Sequence, residues 1–298
     1  MTSIPAPAAR RAVGAPARVS IVGVVTAALF TLLFARPALL LFRDWWTNPE
    51  AGHGLLLAPV AIWLAWKKGY LKEYDPAPLL GILLLVAAVL VRATADLAAE
   101  LFTLRLSLVL AGVGLIVYFR GFRQVLAWWL PLVLLTLSIP LPELVTSALA
   151  LPLQFKASAL GTKLLEWRQV PVALSGNIIQ LPGQQLFVTE ACSGLRSLNA
   201  LLALSVLMGG LWLQRALSRI LLVLVAIPIA ILINGVRVFL TGFLVYFVDP
   251  KLGEGFMHVT EGWLLFVVSL LLTSLAAFVF RTLERAWTAR TAGASHGE

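Results

Sequence analysis

Long apolar stretches broken by short polar ones dominate this chain, and their spacing predicts membrane-crossing helices. Windows rich in Leu, Val, Ile, Ala and Phe fall near 19–36, 53–66, 79–95, 103–119, 124–140, 193–213, 219–247 and 258–280, so eight spans are expected. The second is short for a bilayer that needs about 20 residues, and the seventh is long and interrupted by Pro228 and Gly235. The first has no small-residue cleavage site before Arg36 and Pro37, and is read as a retained span. One stretch breaks the pattern. Residues 143–168 carry apolar side chains at helical spacing with Lys156, Lys163, Glu166 and Arg168 among them, predicting an amphipathic helix that lies on the outer face without spanning. After it, VPVALSGNIIQLPGQQLFV holds two β-rich runs around Ser175-Gly176-Asn177 and Pro182-Gly183, signals for a hairpin or two tight turns. That element delivers the chain to Cys192.

Composition agrees with the pattern. A chain that is 60% hydrophobic and 12% charged is excluded from the soluble class, and nearly all of its 298 residues are consumed by spans. The predicted fold is an all-α integral membrane bundle with a small outer cap made of the amphipathic helix and the β-hairpin. A net charge of +9 raises the question of nucleic acid, but the cations stand in ones to threes between apolar runs and form no basic stripe. They read as topology signals. Arg10, Arg11 and Arg18; Lys67, Lys68 and Lys72; Arg120 and Arg123; Arg215 and Arg219; and Arg281, Arg285 and Arg290 all fall on one side of an eight-span layout, and that side is the cytoplasm by the positive-inside rule. The expected organisation is a cytoplasmic tail at 1–18, five helices over 19–140, the outer cap at 141–192, three helices over 193–280 and a second cytoplasmic tail at 281–298. The terminal TAGASHGE, with His296, reads as disordered.

Three residues stand out chemically. Cys192 is the single cysteine, placed where the polar cap turns into a long apolar helix, so an internal disulfide is impossible. Arg237 lies within the seventh span, about twelve residues, or on the order of 18 Å, before the outer end marked by Asp249-Pro250. An ionisable group there costs about 2.5 to 3.5 kcal/mol and is paired or functional. His258 opens the eighth span on the same side. A thiol, an imidazole and a guanidinium supply what acyl transfer needs: a nucleophile, a proton carrier, and a cation for the thiolate or the oxyanion. Arg196 follows Cys192 by one helical turn and is an accessory candidate. His53, Glu190 and Thr189 are weaker candidates on the outer side. Arg92 and Arg105, with Asp96 and Glu100 between them, are read as salt bridges joining the third and fourth spans, and Trp45-Trp46 and Trp128-Trp129 as interfacial belts. No CxxC, HExxH or glycine-rich phosphate loop is present, so neither a metal, another cofactor nor ATP is expected.

The run GNIIQLPGQQLFVTEACSGLRSLNALLAL, then IPIAILINGVRVFLTG, then HVTEGWLLF, resembles the exosortase/archaeosortase family of membrane cysteine transpeptidases. AGHGLLLAPVAIWLAW resembles an early segment of that family, and the likeness covers most of 45–280. The resemblance implies a Cys, Arg, His triad that maps onto Cys192, Arg237 and His258, and Arg196 matches the arginine of the family's CSGLR. It also implies substrates that are exported proteins bearing a C-terminal sorting signal: a short motif, a transmembrane helix and a basic tail. Membrane lipids surround the enzyme, nucleic acid is no partner, and the implied location is the bacterial inner membrane with the site at its outer face. The alternative of another class is a non-enzymatic transporter or assembly factor for exopolysaccharide export, with Arg237 and His258 lining a solute path.

Overall fold

The computed structural model describes residues 21–48, 50–188, 194–249 and 255–294, with side chains at all of these except 22, 255–261 and 290–294. The helices are α1 (Ile21–Thr47), α2 (Gly54–Lys68), α3 (Pro78–Leu97), α4 (Leu101–Arg120), α5 (Phe122–Ala127), α6 (Trp129–Leu137), α7 (Glu143–Trp167), α8 (Leu195–Trp212), α9 (Ala216–Phe247) and α10 (Gly255–Ala294). Three short strands, β1 (Ala173–Ser175), β2 (Ile178–Leu181) and β3 (Gln184–Phe187), form an antiparallel sheet in the order β1-β2-β3. Among the described residues six helices, α1, α3, α4, α8, α9 and α10, are long and apolar enough to cross a membrane. The protein is an all-α membrane bundle.

Packing runs opposite to that of a soluble domain. Many buried positions are small, including Ala58, Ala61, Ala88, Ala95, Ala111, Ala203, Ala226 and Ala277, while Leu32, Leu79, Leu144 and Leu264 stand exposed on the outside. Lipid is as apolar as leucine, so helix association must come from close contact between small surfaces rather than from escape from water. Glycines make several of those contacts. A Cβ on Gly81 would lie 2.6 Å from the Tyr118 backbone, and one on Gly210 would lie 2.5 Å from Leu130.

Several elements depart from the expected layout. α1 runs through Pro37 to Thr47, eleven residues past Arg36, because ion pairs hold its second half: Arg36 with Asp96 on α3, and Asp44 with Arg105 on α4. The acids therefore bind α1 to its neighbours instead of joining α3 to α4 through Arg92. Glu100 is used otherwise, as the N-cap of α4, accepting from the amides of Phe102 at 3.0 Å and Thr103 at 2.6 Å. The fifth apolar window is broken at Trp128 into α5 and α6. α9 continues unbroken through Pro228 and Gly235, and α10 continues through Ala294, so the last part of the chain is helical well beyond 280.

α7 matches the predicted amphipathic segment almost residue for residue, but its buried stripe is small and polar: Thr146, Ala150, Gln154, Ala157, Ser158, Gly161, Thr162 and Leu165. That stripe lies along α9. A Cβ on Gly161 would meet Val238 Cγ1 at 2.6 Å, one on Gly235 would meet Leu160 at 2.3 Å, and one on Gly242 would meet Leu165 at 2.9 Å. The positions rise together on both helices, so α7 and the second half of α9 run parallel. The sheet packs on this pair through Ile179, Leu181 and Val188 against Leu165, Val238 and Val245.

Polar latches close the opposite end. The Arg120 guanidinium sits over the rings of Tyr70 and Tyr74 at 4.4 and 4.9 Å, and Arg219 sits over Trp129 at 5.1 Å. Trp128 Nε1 donates to the Gly69 carbonyl at 3.0 Å. Among the described residues, the cationic ends of α2, α4 and α9 that the sequence places on one side are thus gathered at one end. There Glu284 of α10, only 8% exposed, accepts from the amides of Gln214 and Arg215, both at 2.9 Å, placing a carboxylate at the N-terminal end of α9, where the helix dipole favours negative charge. Glu284→Ala removes the charged acceptor of both amides and should cost about 1–3 kcal/mol, while Glu284→Gln keeps one acceptor oxygen and should cost less. Thermal unfolding of the detergent-solubilised protein should rank wild type above Gln and Gln above Ala.

Candidate active site

α9 is the ruler against which the site is assembled. α10 lies antiparallel to it: Glu284 meets the start of α9, Ala277 packs with Leu222, and Gly262 reaches Arg237. α8 is antiparallel as well, with Gly209 beside Arg219, Leu201 against Ala226 and Ala230, and Gly194 against Asn234. Both helices therefore arrive at the same turn of α9. Asn234 and Arg237 stand three residues apart, on one helical face, and each is approached by a glycine.

The two contacts are tight. A Cβ on Gly194 would lie 2.6 Å from Asn234 Cγ and 2.9 Å from its Nδ2. Gly194 also takes the left-handed conformation, φ +77°, as it caps α8, a backbone state that glycine adopts without a Cβ penalty. Asn234 is buried at 7% exposure. On the other side a Cβ on Gly262 would lie 3.3 Å from Arg237 Nη2 and 3.4 Å from Cζ, so the guanidinium lies directly against the surface of α10. Arg237 is half-buried, and its own carbonyl accepts from Thr241 Oγ1 at 3.0 Å. Gly235, between the two polar residues, is covered by Leu160 of α7. Its lack of a side chain serves helix contact and does not interrupt α9.

Of the sequence-derived candidates, the structure places Arg237 in this cluster. Cys192 lies outside the described residues, as do Glu190 and Thr189, and the chain from them re-enters two residues later at Gly194. His258 belongs to the first turns of α10, four residues before Gly262; its side chain is outside the described set. Arg196 is not brought to Arg237. It is exposed, and its position on α8 is opposite the stripe of Gly194, Leu198, Leu201 and Ser205 that faces α9. His53 is occupied in holding helices together. Its Nδ1 lies 3.1 Å from the Glu50 carbonyl and its Nε2 lies 3.2 Å from the Leu137 carbonyl, clamping the start of α2 to the end of α6. Trp45 reinforces that junction, donating to the Ser138 carbonyl at 2.7 Å.

Sequence reasoning missed Asn234, Gly194 and Gly262 as members of the cluster. The available signal was the spacing of Asn234 to Arg237, one turn apart in an otherwise apolar span. Among the described residues no group of three or more His, Cys, Asp or Glu has the arrangement of a metal site.

The Gly194 and Asn234 contact predicts a coupled pair. Gly194→Ala should destabilise by the sum of about 1–2 kcal/mol of left-handed backbone and about 1–3 kcal/mol of overpacking. With Asn234→Gly in the background, only the backbone cost should remain. A double-mutant cycle of thermal stability measures the difference, and additive effects would remove the contact.

Residues 45–275 match the family described as transmembrane exosortase. No curated protein and no solved structure matches the chain. With the match spanning most of the sequence, from the end of α1 through the greater part of α10, the chain belongs to the transmembrane exosortase family.

Proposed function

We propose that the protein is a membrane cysteine protease or transpeptidase that cleaves the C-terminal sorting signal of exported proteins. The single observation that carries this reading is the convergence of α8 and α10 on the Asn234–Arg237 turn of α9, glycine to side chain on both flanks. Cys192 precedes one of these glycines by two residues, and His258 precedes the other by one helical turn. The glycines that meet this turn thus have Cys192 and His258 as near neighbours in sequence, which supports bringing the three residue types that acyl transfer requires to one place.

The chemistry follows from those assignments. The Cys192 thiolate attacks the scissile carbonyl, and the Arg237 guanidinium, held against α10, receives the charge that develops on the carbonyl oxygen. His258 takes the thiol proton and returns it to the leaving amine as the tetrahedral intermediate collapses to a thioester. An acceptor amine or a water molecule then attacks the thioester and regenerates the thiol. Asn234 is a positioning residue that fixes the start of α8. Arg196, exposed on the far side of α8, is left with an accessory role toward substrate rather than a share of the oxyanion.

For topology, we assign the cationic end to the cytoplasm by the positive-inside rule, in the bacterial inner membrane, with both termini inside. α2 and the broken α5–α6 pair complete eight crossings. Arg237 is 21 residues into α9, about 32 Å from its first residue, against a hydrocarbon core of about 30 Å. The site then lies at the outer boundary of the membrane, and the last turns of α9 project beyond it, clad by α7 and the sheet as an outer cap.

The test is coexpression with an exported protein that ends in a motif, an apolar helix and a basic tail. Cys192→Ala and His258→Ala should abolish its processing, and Arg237→Ala should slow it by about 10²–10³. Gly262→Leu, which displaces the guanidinium, should approach Arg237→Ala at unchanged expression, while Arg196→Ala should cost little. Wild-type processing by Cys192→Ala would overturn the proposal.

A further inference from the structure

The sheet has one edge built to receive another strand, and it lies on the segment that leads to Cys192. β2 and β3 are joined by the two-residue turn Pro182-Gly183, with Leu181 opposite Gln184 and Ile178 opposite Phe187. The Val188 amide donates to the Asn177 carbonyl at 3.0 Å, so in register that pair stands at a hydrogen-bonded position of the ladder. Alternation along an antiparallel ladder then makes Ile179 with Leu186 and Leu181 with Gln184 the bonded pairs. Gln185 and Phe187 are left with their N–H and C=O groups directed away from β2, at the outer edge. Among the described residues nothing pairs with them. Both residues are exposed, Phe187 at 55%, and the strand has none of the lysines, prolines or bulges that commonly blunt an edge. The corresponding edge of β1 offers one such residue, Leu174.

β3 is also firmly seated. Gln184 Nε2 donates to the Val245 carbonyl of α9 at 3.2 Å. Asn177 Nδ2 lies 3.0 Å from the Val188 carbonyl and 3.2 Å from Gln154 Oε1 of α7, and Val188 is 1% exposed. The edge is therefore a rigid rail fixed to the same helix that carries Arg237. Cys192 follows Phe187 by five positions, a reach of at most about 17 Å.

Resting on the function proposed above, we infer that the substrate segment next to its scissile bond docks as an added strand on β3, pairing with the main chain of Gln185 and Phe187. Two donors and two acceptors, spaced by about 7 Å along the strand, read an extended backbone rather than a particular side chain. The exposed Phe187 ring offers an apolar neighbour to one substrate side chain. A second copy of this chain is the poorer occupant, because a four-residue edge buries far less than the roughly 1,200 Å² of a stable interface. A substrate already held in the membrane by its own helix needs no such area, since its effective concentration at the site is high.

Gln185→Pro deletes one outward N–H and leaves the β2 ladder intact, a substitution that edge strands accept. Leu174→Pro is the matched deletion on the other edge. With the sorting-signal protein described above as probe, Gln185→Pro should slow processing by at least about tenfold, while Leu174→Pro should process as wild type at equal expression. Equal rates for the two variants would overturn the rail while leaving the protease standing. Processing that is insensitive to Cys192→Ala would instead remove the reading on which the rail rests. Should Gln185→Pro fail to accumulate, a photoreactive benzoylphenylalanine at position 187 in the Cys192→Ala protein decides the matter. An adduct with the sorting-signal protein supports the rail, and an adduct only with a second copy of the enzyme, or none, overturns it.

Discussion

Close approach to α9 is the constraint on which the rest of the structure depends. In a bilayer no water is released when apolar helices meet, so their positions are set by how near two backbones can come and by the few polar bonds they share. Along the second half of α9 the approach is made at glycines on every flank: Gly235 and Gly242 beneath Leu160 and Leu165, Gly161 beneath Val238, Gly194 beneath Asn234, and Gly262 beneath Arg237. The first four leave no room for a methyl group, and at the last the guanidinium would have to give by a few tenths of an ångström. Together they fix α7, α8 and α10 in register against one helix, and that register brings a guanidinium and a buried amide to the point where two neighbouring segments begin.

The same logic explains the placement of the polar latches. Arg36 with Asp96 and Asp44 with Arg105 bind α1 to α3 and α4. His53, Trp45 and Trp128 clasp helix ends through main-chain carbonyls. Glu284 stitches α10 to the first turn of α9. These bonds sit at helix termini or between paired ions, where a low-dielectric surrounding would otherwise leave orphan donors and unpaired charges at a cost of several kcal/mol. Closing the cationic end with Glu284 matters for the site, because α10 is a lever. A shift at one end would slide Gly262 past Arg237.

Much of this is legible in the chain. Hydropathy locates the helical windows because a membrane imposes length and apolarity on each span independently, and α7 and the strands follow from periodicity and from Ser-Gly-Asn and Pro-Gly turns. Arg237 is legible because a cation inside an apolar window has few benign explanations. What cannot be read are the properties that belong to pairs. Gly235 resembles a helix breaker until Leu160 is seen to lie on it, and Asn234 resembles a minor polar interruption until Gly194 is seen to touch it. The extension of α1 past Pro37 likewise depends on partners more than fifty residues away. Periodicity makes α7 an amphipathic helix with an apolar face to bury, whereas in lipid the face turned inward is the small one.

For the oxyanion role proposed above, Arg237 must be desolvated enough to be effective and restrained enough not to follow a lipid phosphate or the aqueous surface. Arginine side chains in membranes normally snorkel toward water. Arg237 comes so close to α10 that a Cβ on Gly262 would lie 3.4 Å from its Cζ, and the missing side chain of Gly262 leaves the guanidinium its room there. Preorganisation of this kind is set by packing before any substrate arrives, so its benefit is present only where the helix register holds. The physical requirement is therefore geometric: small residues on α8 and α10 are as much a part of the site as the side chains they admit, because replacing either with a larger one moves the charge without altering a single reactive group.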